Sequence, residues 1–214
     1  MRLMVALEMR FYRRFRTVSA VSGEIRQVLV HAGVREDRVR VIPNGIPLDP
    51  PLLPAAERER LRASLGVGPE GFLVLNAGRL TTQKDQATLL RAVGELPAAG
   101  RPVTCLVAGE GDLRESLQSQ IVAGGWGDRV RLLGFRDDVP ALLQAADAFA
   151  LPSLDEGMPM ILLETAAAGT PIVATPVGDI PTLVRDGATG LVVPRGDTAA
   201  LAAALLRLRD EPGL

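Results

Sequence analysis

Short apolar runs alternate along the chain with longer stretches in which apolar side chains recur at helical spacing. The runs predict strands at Thr17 to Ala20, Val39 to Ile42, Phe72 to Asn76, Val103 to Ala108, Val130 to Leu133, Ala148 to Leu151, Ile172 to Ala174 and Leu191 to Val193. The stretches between them predict helices at Gly23 to His31, Ala56 to Ser64, Gln83 to Leu96, Leu113 to Val122, Pro140 to Ala145, Pro159 to Ala168, Ile180 to Arg185 and Thr198 to Arg209. Strand–helix–strand alternation implies a parallel sheet with helices on both faces, an α/β, Rossmann-like class.

The alternation breaks once, at Pro43-Asn44-Gly45-Ile46-Pro47-Leu48-Asp49-Pro50-Pro51, where residues that interrupt regular structure crowd together. A domain boundary is expected there, dividing residues 1–45 from 46–214. The first part holds two strands and two helices, too few to bury their own apolar faces. Its opening helix, Met1 to Arg16, carries Met4, Leu7, Phe11 and Phe15 on one face, with Arg10, Arg13, Arg14 and Arg16 around it. Burial of that face against the sheet of a preceding domain, which these residues do not supply, is the preferred reading. The other is contact with an anionic membrane surface, as basic amphipathic helices make.

Composition narrows the chemistry. With 47% apolar residues in 214 and a net charge of −1, the chain can bury a substantial core and gives no electrostatic reason to expect a nucleic-acid partner. Cys105 is the single cysteine and lies in an apolar run, which excludes a disulfide framework and a thiolate metal site. His31 is the single histidine, at a helix end, so a His-cluster metal site or a His-based triad is not expected. No apolar run reaches the roughly 18–20 residues that span a bilayer, and no signal peptide opens the chain. A cytoplasmic location is expected, with peripheral contact at the inner face of the membrane through residues 1–16 as a further option. Of 24 basic residues only Lys84 is a lysine. A lysine kept against that background suggests a place for a compact ammonium.

Two stretches carry candidate chemistry. In Asp155-Glu156-Gly157-Met158-Pro159-Met160-Ile161-Leu162-Leu163-Glu164, two glutamates stand eight positions apart around a Gly-x-Pro helix start. Pro159 suits a first helical turn and Gly169 its far end. Met158 has no side-chain oxygen to occupy the first-turn N–H groups, so those donors stay open to an anion, which the helix dipole also favours. The competing reading makes Asp155 or Glu156 an ordinary cap and Glu164 a surface ion-pair partner. The second stretch, Asn76-Ala77-Gly78-Arg79-Leu80-Thr81-Thr82-Gln83-Lys84-Asp85, follows a strand and opens a helix at the carboxyl edge of the sheet, where α/β folds bind ligands. It places Lys84 in a first helical turn, against the dipole.

The pattern Pro152-Ser153-x-x-Glu156-Gly157-x-Pro159-x4-Glu164-x3-Ala168-Gly169-x-Pro171-Ile172-Val173-Ala174-Thr175 resembles the E-x7-E signature of the retaining GT-B glycosyltransferases of family four. Gly78-Arg79-Leu80 with Lys84 is similar to that family's Gly-Arg-Leu-x-x-x-Lys-Gly element, with Asp85 where relatives often have Gly. Residues 46–214 resemble the C-terminal, donor-binding domain. Val18-Ser19-x-x-Ser22 and Val41-Ile42-Pro43-Asn44-Gly45-Ile46 resemble the end of the N-terminal, acceptor domain. The resemblance implies transfer of a sugar from a nucleoside diphosphate to an acceptor hydroxyl with retention, and it assigns catalysis to Arg79, Lys84 and Glu156. It implies that Gly78, Arg79 and Lys84 bind the diphosphate, that Glu164 binds the ribose hydroxyls, and that Glu156, Gly157, Met158 and Pro159 shape the sugar and phosphate site. Gly109, in Gly109-Glu110-Gly111, corresponds to a turn that contacts donor or packs on the sheet, and Arg136 to a main-chain contact with the base. The motif Val177-Gly178-Asp179-Ile180-Pro181 lacks a second Gly and a later Glu, which leaves the donor sugar open.

No metal or other cofactor is expected. Asp137 and Asp138 are adjacent and precede a helix, so capping is their expected task. The expected partners are a nucleotide-sugar donor, an acceptor that these residues do not reveal, and an N-terminal domain or second copy that completes the site. The chain then reads as a fragment or as a half-enzyme poorly active alone, with a non-catalytic nucleotide-sugar binding module as the alternative. A phosphorylase or epimerase of the same fold fits less well, because Lys84 is already assigned. An NAD-binding domain fits least, for want of Gly-x-Gly-x-x-Gly after an early strand.

Overall fold

The computed structural model describes residues 11–47, 51–97 and 100–211. Six parallel strands form the main sheet: β3 (Phe72–Ala77), β4 (Val103–Ala108), β5 (Val130–Gly134), β6 (Ala148–Leu151), β7 (Ile172–Ala174) and β8 (Leu191–Val192), in the spatial order β5-β4-β3-β6-β7-β8. The chain builds outward from β3 through β4 to β5, then returns to the other side of β3 with β6. That reversal puts the topological switch point between β3 and β6, where open α/β sheets bind ligands beyond their carboxyl ends.

Burial on both faces explains why these strands read as continuous apolar runs. Phe72, Val74 and Val107 face a core closed by helices α3 (Gln86–Gly94), α4 (Arg114–Gly124) and α8 (Thr198–Asp210). Leu73, Leu75, Leu106, Phe149 and Leu151 face the opposite core, covered by α2 (Ala55–Ser64), α5 (Val139–Ala145), α6 (Met160–Ala167) and α7 (Ile180–Leu183). Cys105 is fully buried, and desolvation pushes its thiol up to about 12, so it packs as a small apolar group. Trp126 lies against Gly94 and Gly124 and seals one edge of the first core.

Residues 11–47 form a smaller unit. Strands β1 (Val18–Ala20) and β2 (Val39–Val41) pair in parallel, with α1 (Gly23–His31) between them and a cluster of Val18, Ala20, Leu29, Val34 and Val39 beneath. Ser22 caps α1 by accepting from the Ile25 N–H at 3.0 Å. His31 closes the helix on the Gln27 carbonyl, a structural task. Val28, Val41 and Ile42 remain exposed, as expected of two strands alone. Phe11 and Phe15 are also more than half exposed within these residues. Most of the basic amphipathic stretch lies outside the described residues.

The chain after the boundary is tied down beneath the sheet. Gln144 accepts from the Leu53 N–H at 2.6 Å and donates to the Pro51 carbonyl at 3.0 Å. Nearby, Asp147 accepts from Arg62 at 2.9 Å and from the Leu73 N–H at 2.7 Å, and Arg62, itself buried, also reaches the Ala145 and Gly71 carbonyls. Replacing Asp147 with Ala leaves a buried guanidinium without its carboxylate. It is expected to destabilise the fold by about 2 kcal/mol in urea titrations, less than for a fully buried pair because Asp147 keeps some solvent contact. Arg58→Ala, which removes the longer and more exposed ion pair to the same carboxylate, is expected to cost no more than about 1 kcal/mol.

Candidate functional site

Both candidate stretches emerge at the switch point, one after β3 and one after β6. The first differs from its expected form. Instead of one helix from Gln83 to Leu96, a single 3-10 turn (Thr82–Lys84) is followed by Asp85 in the left-handed region at φ 46°, and α3 starts only at Gln86 and ends at Gly94. Lys84 therefore precedes the α-helix and does not sit in its first turn. Asp85 occupies a conformation that favours glycine, which gives the Gly-to-Asp departure a physical meaning. Its carboxylate offsets part of the strain by accepting from the Thr88 hydroxyl at 2.7 Å.

The second stretch is close to its expected form. Pro159 is the N-cap residue of α6 and makes no side-chain cap bond, and Gly169 follows the helix at φ 71°. Asp155 does not cap it either, and the Glu156 side chain turns elsewhere. Glu156 is 9% exposed, and its Oε1 accepts from Lys84 Nζ at 2.5 Å and from Ser153 Oγ at 2.7 Å. Both protein donors fall on one oxygen, leaving Oε2 without a partner among the described residues. The adjacency of β3 and β6 thus joins the two stretches through a largely buried ion pair.

Around this pair, the loop from Ser153 to Met158 is held almost residue by residue. The Ser153 carbonyl accepts from Thr175 Oγ1 at 2.5 Å, Leu154 donates to the Gln83 carbonyl at 2.8 Å, and the Asp155 carbonyl accepts from Gln83 Nε2 at 2.7 Å. The Gly157 carbonyl accepts from the Asp179 N–H at 2.9 Å and the Met158 carbonyl from Asn44 Nδ2 at 3.0 Å. Beneath the loop, Gly178 packs so closely that a Cβ there would lie 2.1 Å from the Glu156 carbonyl oxygen. The N–H groups of Gly157, Met158, Met160 and Ile161 have no acceptor among the described residues. Carbonyls turned into the protein and amides left open make a cradle for negative charge, reinforced by the start of α6.

Arg79 is exposed at the rim, with its carbonyl held by Gln86 Nε2 at 2.9 Å and its guanidinium unpaired among the described residues. Glu164, half-buried in α6, is likewise without an ion pair or side-chain hydrogen bond there, against the reading of it as a surface ion-pair partner. Asn76 Oδ1, Thr81 Oγ1 and Gln86 Oε1 are the buried side-chain atoms that lack a partner among the described residues, and all belong to the first loop and its footing. Such groups concentrate at functional sites.

Toward β4 and β5 the cleft opens into a cavity of about 470 Å³ lined by Gly78, Arg79, Gly109, Glu110, Phe135 and Arg136 among others. Gly109 has a packing role as well: a Cβ there would stand 1.9 Å from the Gly78 carbonyl oxygen, so the two turns fit only without a side chain. Asp138 does not cap α5 as expected. Arg136 claims its carboxylate with two hydrogen bonds, at 2.7 and 2.5 Å, and these hold the Asp138 carboxyl below its ordinary range. Phe135, 78% exposed at the cavity, adjoins the expected Arg136 main-chain contact with the base but has no side-chain role legible in the sequence, and neither have Ser153, Gln83 and Asn44 as supports of the loop. An exposed aromatic leaves no periodic signal, and the supports act through contacts between distant residues. A cavity of about 360 Å³ at the start of β7 is lined without a charged side chain. Among the described residues no three His, Cys, Asp or Glu side chains gather as metal ligands, and no helix is long and apolar enough to cross a membrane.

Residues 71–211 match the family described as Glycosyl transferases group 1, and residues 1–50 match Glycosyltransferase Family 4. The 2-deoxystreptamine glucosyltransferase of Streptomyces kanamyceticus is 31% identical over 214 residues, covering 98% of this chain and 55% of that protein. The D-inositol 3-phosphate glycosyltransferase of Salinispora arenicola is 36% identical over 192 residues, covering 83% and 43%. The chain spans about half the length of the curated relatives it matches. Among solved structures, Anabaena Alr3699/HepE in complex with UDP and glucose superposes with a TM-score of 0.90 at 27% identity, over 99% of this chain and 58% of that one. Sucrose-phosphate synthase from Thermosynechococcus elongatus gives 0.82 at 28% identity, over 99% and 53%. The family match over residues 71–211, with the fold of these structural neighbours, shows that the chain belongs to the family-four, group 1 glycosyltransferases and carries the C-terminal domain of their GT-B fold.

Proposed function

We propose that this chain forms the donor half of a retaining, metal-independent glycosyltransferase, binding a nucleoside diphosphate sugar across the switch point of its main sheet. The observation that carries this reading is the loop 153–158, whose carbonyls turn into the protein while the amides of Gly157, Met158, Met160 and Ile161 stay open beside Lys84 and Glu156. The base lies in the cavity by Phe135 and the Arg136 main chain, Glu164 accepts from the ribose diol, and the diphosphate runs toward Arg79, Lys84 and the open amides. UDP and UDP-glucose complexes of Anabaena Alr3699/HepE support a uridine donor.

In such a site the leaving diphosphate gains negative charge as its bond to the sugar breaks. Fixed cations and amides stabilise that charge without the reorganisation water needs. Lys84 Nζ, the Arg79 guanidinium and the amide cradle supply this here, the basis for proposing that no divalent metal is required. Glu156 Oε2 faces the sugar as a hydroxyl acceptor and a negative charge near the oxocarbenium-like carbon. The acceptor and the rest of the catalytic apparatus belong to the paired N-terminal domain, so the residues of this chain are proposed to bind nucleotide well and transfer sugar poorly alone.

Calorimetric titration with UDP, GDP and ADP, each with magnesium and with EDTA, tests the reading. UDP is expected to bind equally in both conditions. Failure of all three to bind removes the donor-site assignment, and binding that needs magnesium removes metal independence.

A further inference from the structure

We infer that Asn44 is a positioning residue for the distal phosphate of the donor, acting through the Met158 carbonyl; the inference rests on the donor-site reading above. Asn44 lies half-buried in the irregular segment after β2, and its Nδ2 donates to a carbonyl 114 residues away at 3.0 Å. Among the described residues this is the one hydrogen bond joining residues 11–47 to residues 51–211.

Its target has particular leverage. Met158 precedes Pro159, so the peptide unit between them has a carbonyl but no N–H. An anion cradle at this unit can present only an oxygen, which repels phosphate unless something turns it away. Asn44 does that by drawing the oxygen to its amide. The same bond fixes the plane from which α6 departs, and so the direction of the open Met160 and Ile161 N–H groups. The preceding plane is set independently: the Asp179 N–H holds the Gly157 carbonyl, and in a trans unit the Met158 N–H then points the opposite way. Val21 and Ile25 flank Gly157, so the smaller unit touches the loop at two adjacent residues.

The strand order says which part of a ligand would sense Asn44. The base cavity lies at the ends of β3, β4 and β5, whereas this loop follows β6 on the other side of β3. A bound nucleotide therefore reaches the loop with its distal phosphate. Loss of the Asn44 bond weakens a diphosphate and spares a monophosphate.

The test is calorimetric titration of wild type, N44A, N44D and N44Q with UDP and with UMP, together with thermal melts. N44A is expected to weaken UDP about fivefold to tenfold, the range of one lost hydrogen bond, with UMP changed less than twofold and the melting temperature within about 2 °C of wild type. N44D, with no donor and an added negative charge, is expected to weaken UDP at least as much. N44Q, which keeps the amide, recovers part of the affinity. Unchanged UDP affinity in N44A, or equal weakening of UDP and UMP, overturns the positioning role while wild-type binding keeps the donor site intact. Wild type that binds neither nucleotide removes the donor-site reading itself.

Discussion

Lys84→Met is expected to lower nucleotide affinity tenfold to a hundredfold and, separately, to destabilise the folded chain by about 3 kcal/mol. The first effect follows from the proposed role of Lys84 as a charge-assisted donor to the diphosphate. The second has a different origin. Glu156 is 9% exposed and shares one oxygen between Lys84 Nζ and Ser153 Oγ, so removing the ammonium leaves a carboxylate nearly cut off from water with one neutral donor. Adding Glu156→Gln to Lys84→Met removes the stranded charge, and the double variant is expected to regain most of the stability and none of the affinity. Urea titration and calorimetry on the single and double variants separate the two effects as a double-mutant cycle. Lys84→Arg is not expected to rescue binding. The Lys84 stem runs beside Gly78, with Cε 3.7 Å from where a Cβ on that glycine would sit, and a planar fork does not fit the space of a compact ammonium between Gly78 and Glu156. Nucleotide binding by Lys84→Met at wild-type strength would show that the ion pair serves the fold alone.

The Lys84–Glu156 pair joins features that are local in the sequence through a contact that is not. The strands of the main sheet were legible because burial on both faces leaves continuous runs such as Phe72 to Ala77 and Val103 to Ala108, and no competing helical period interrupts them. The two motifs stood out as candidates through their spacing and the lone lysine, and their resemblance to the family-four glycosyltransferases gave them donor-site roles. Their contact was not legible, because Lys84 and Glu156 are 72 positions apart and meet only because β6 inserts beside β3. The break at Asp85 was hidden for a local reason: a left-handed residue is usually announced by glycine, and aspartate adopts it here with Thr88 as its partner. The cap expected of Asp138 failed through competition, since a guanidinium two residues upstream binds the carboxylate more strongly than a helix N–H does. Asn44 belonged to a stretch read as a boundary, and nothing in its neighbours points to Met158.

Gly178→Ala is expected to be far more damaging than an ordinary single-methyl change, costing about 4 kcal/mol and most of the nucleotide affinity. Gly178 sits at φ +55°, where a side chain alone costs about 1 to 2 kcal/mol. Its Cβ would also stand 2.1 Å from the Glu156 carbonyl oxygen and 2.6 Å from that of Gly157. Neither neighbour is a flexible side-chain end. Both are backbone of the donor loop, which Thr175, Gln83, Asp179 and Asn44 hold in place. The loop must therefore break some of those bonds or Gly178 must move, and either change turns the open amides away from the geometry proposed for holding the phosphates. Gly125→Ala is the matched control. Gly125 has φ +67° and nothing within 4 Å of its Cβ position, so it isolates the backbone cost at about 1 kcal/mol and should leave UDP affinity unchanged. Denaturant midpoints and UDP titrations on the two variants decide the matter: equal destabilisation, or a Gly178→Ala chain that binds as wild type does, would mean that the loop can yield to the methyl group, and that its hydrogen bonds do not fix the geometry the amide cradle depends on.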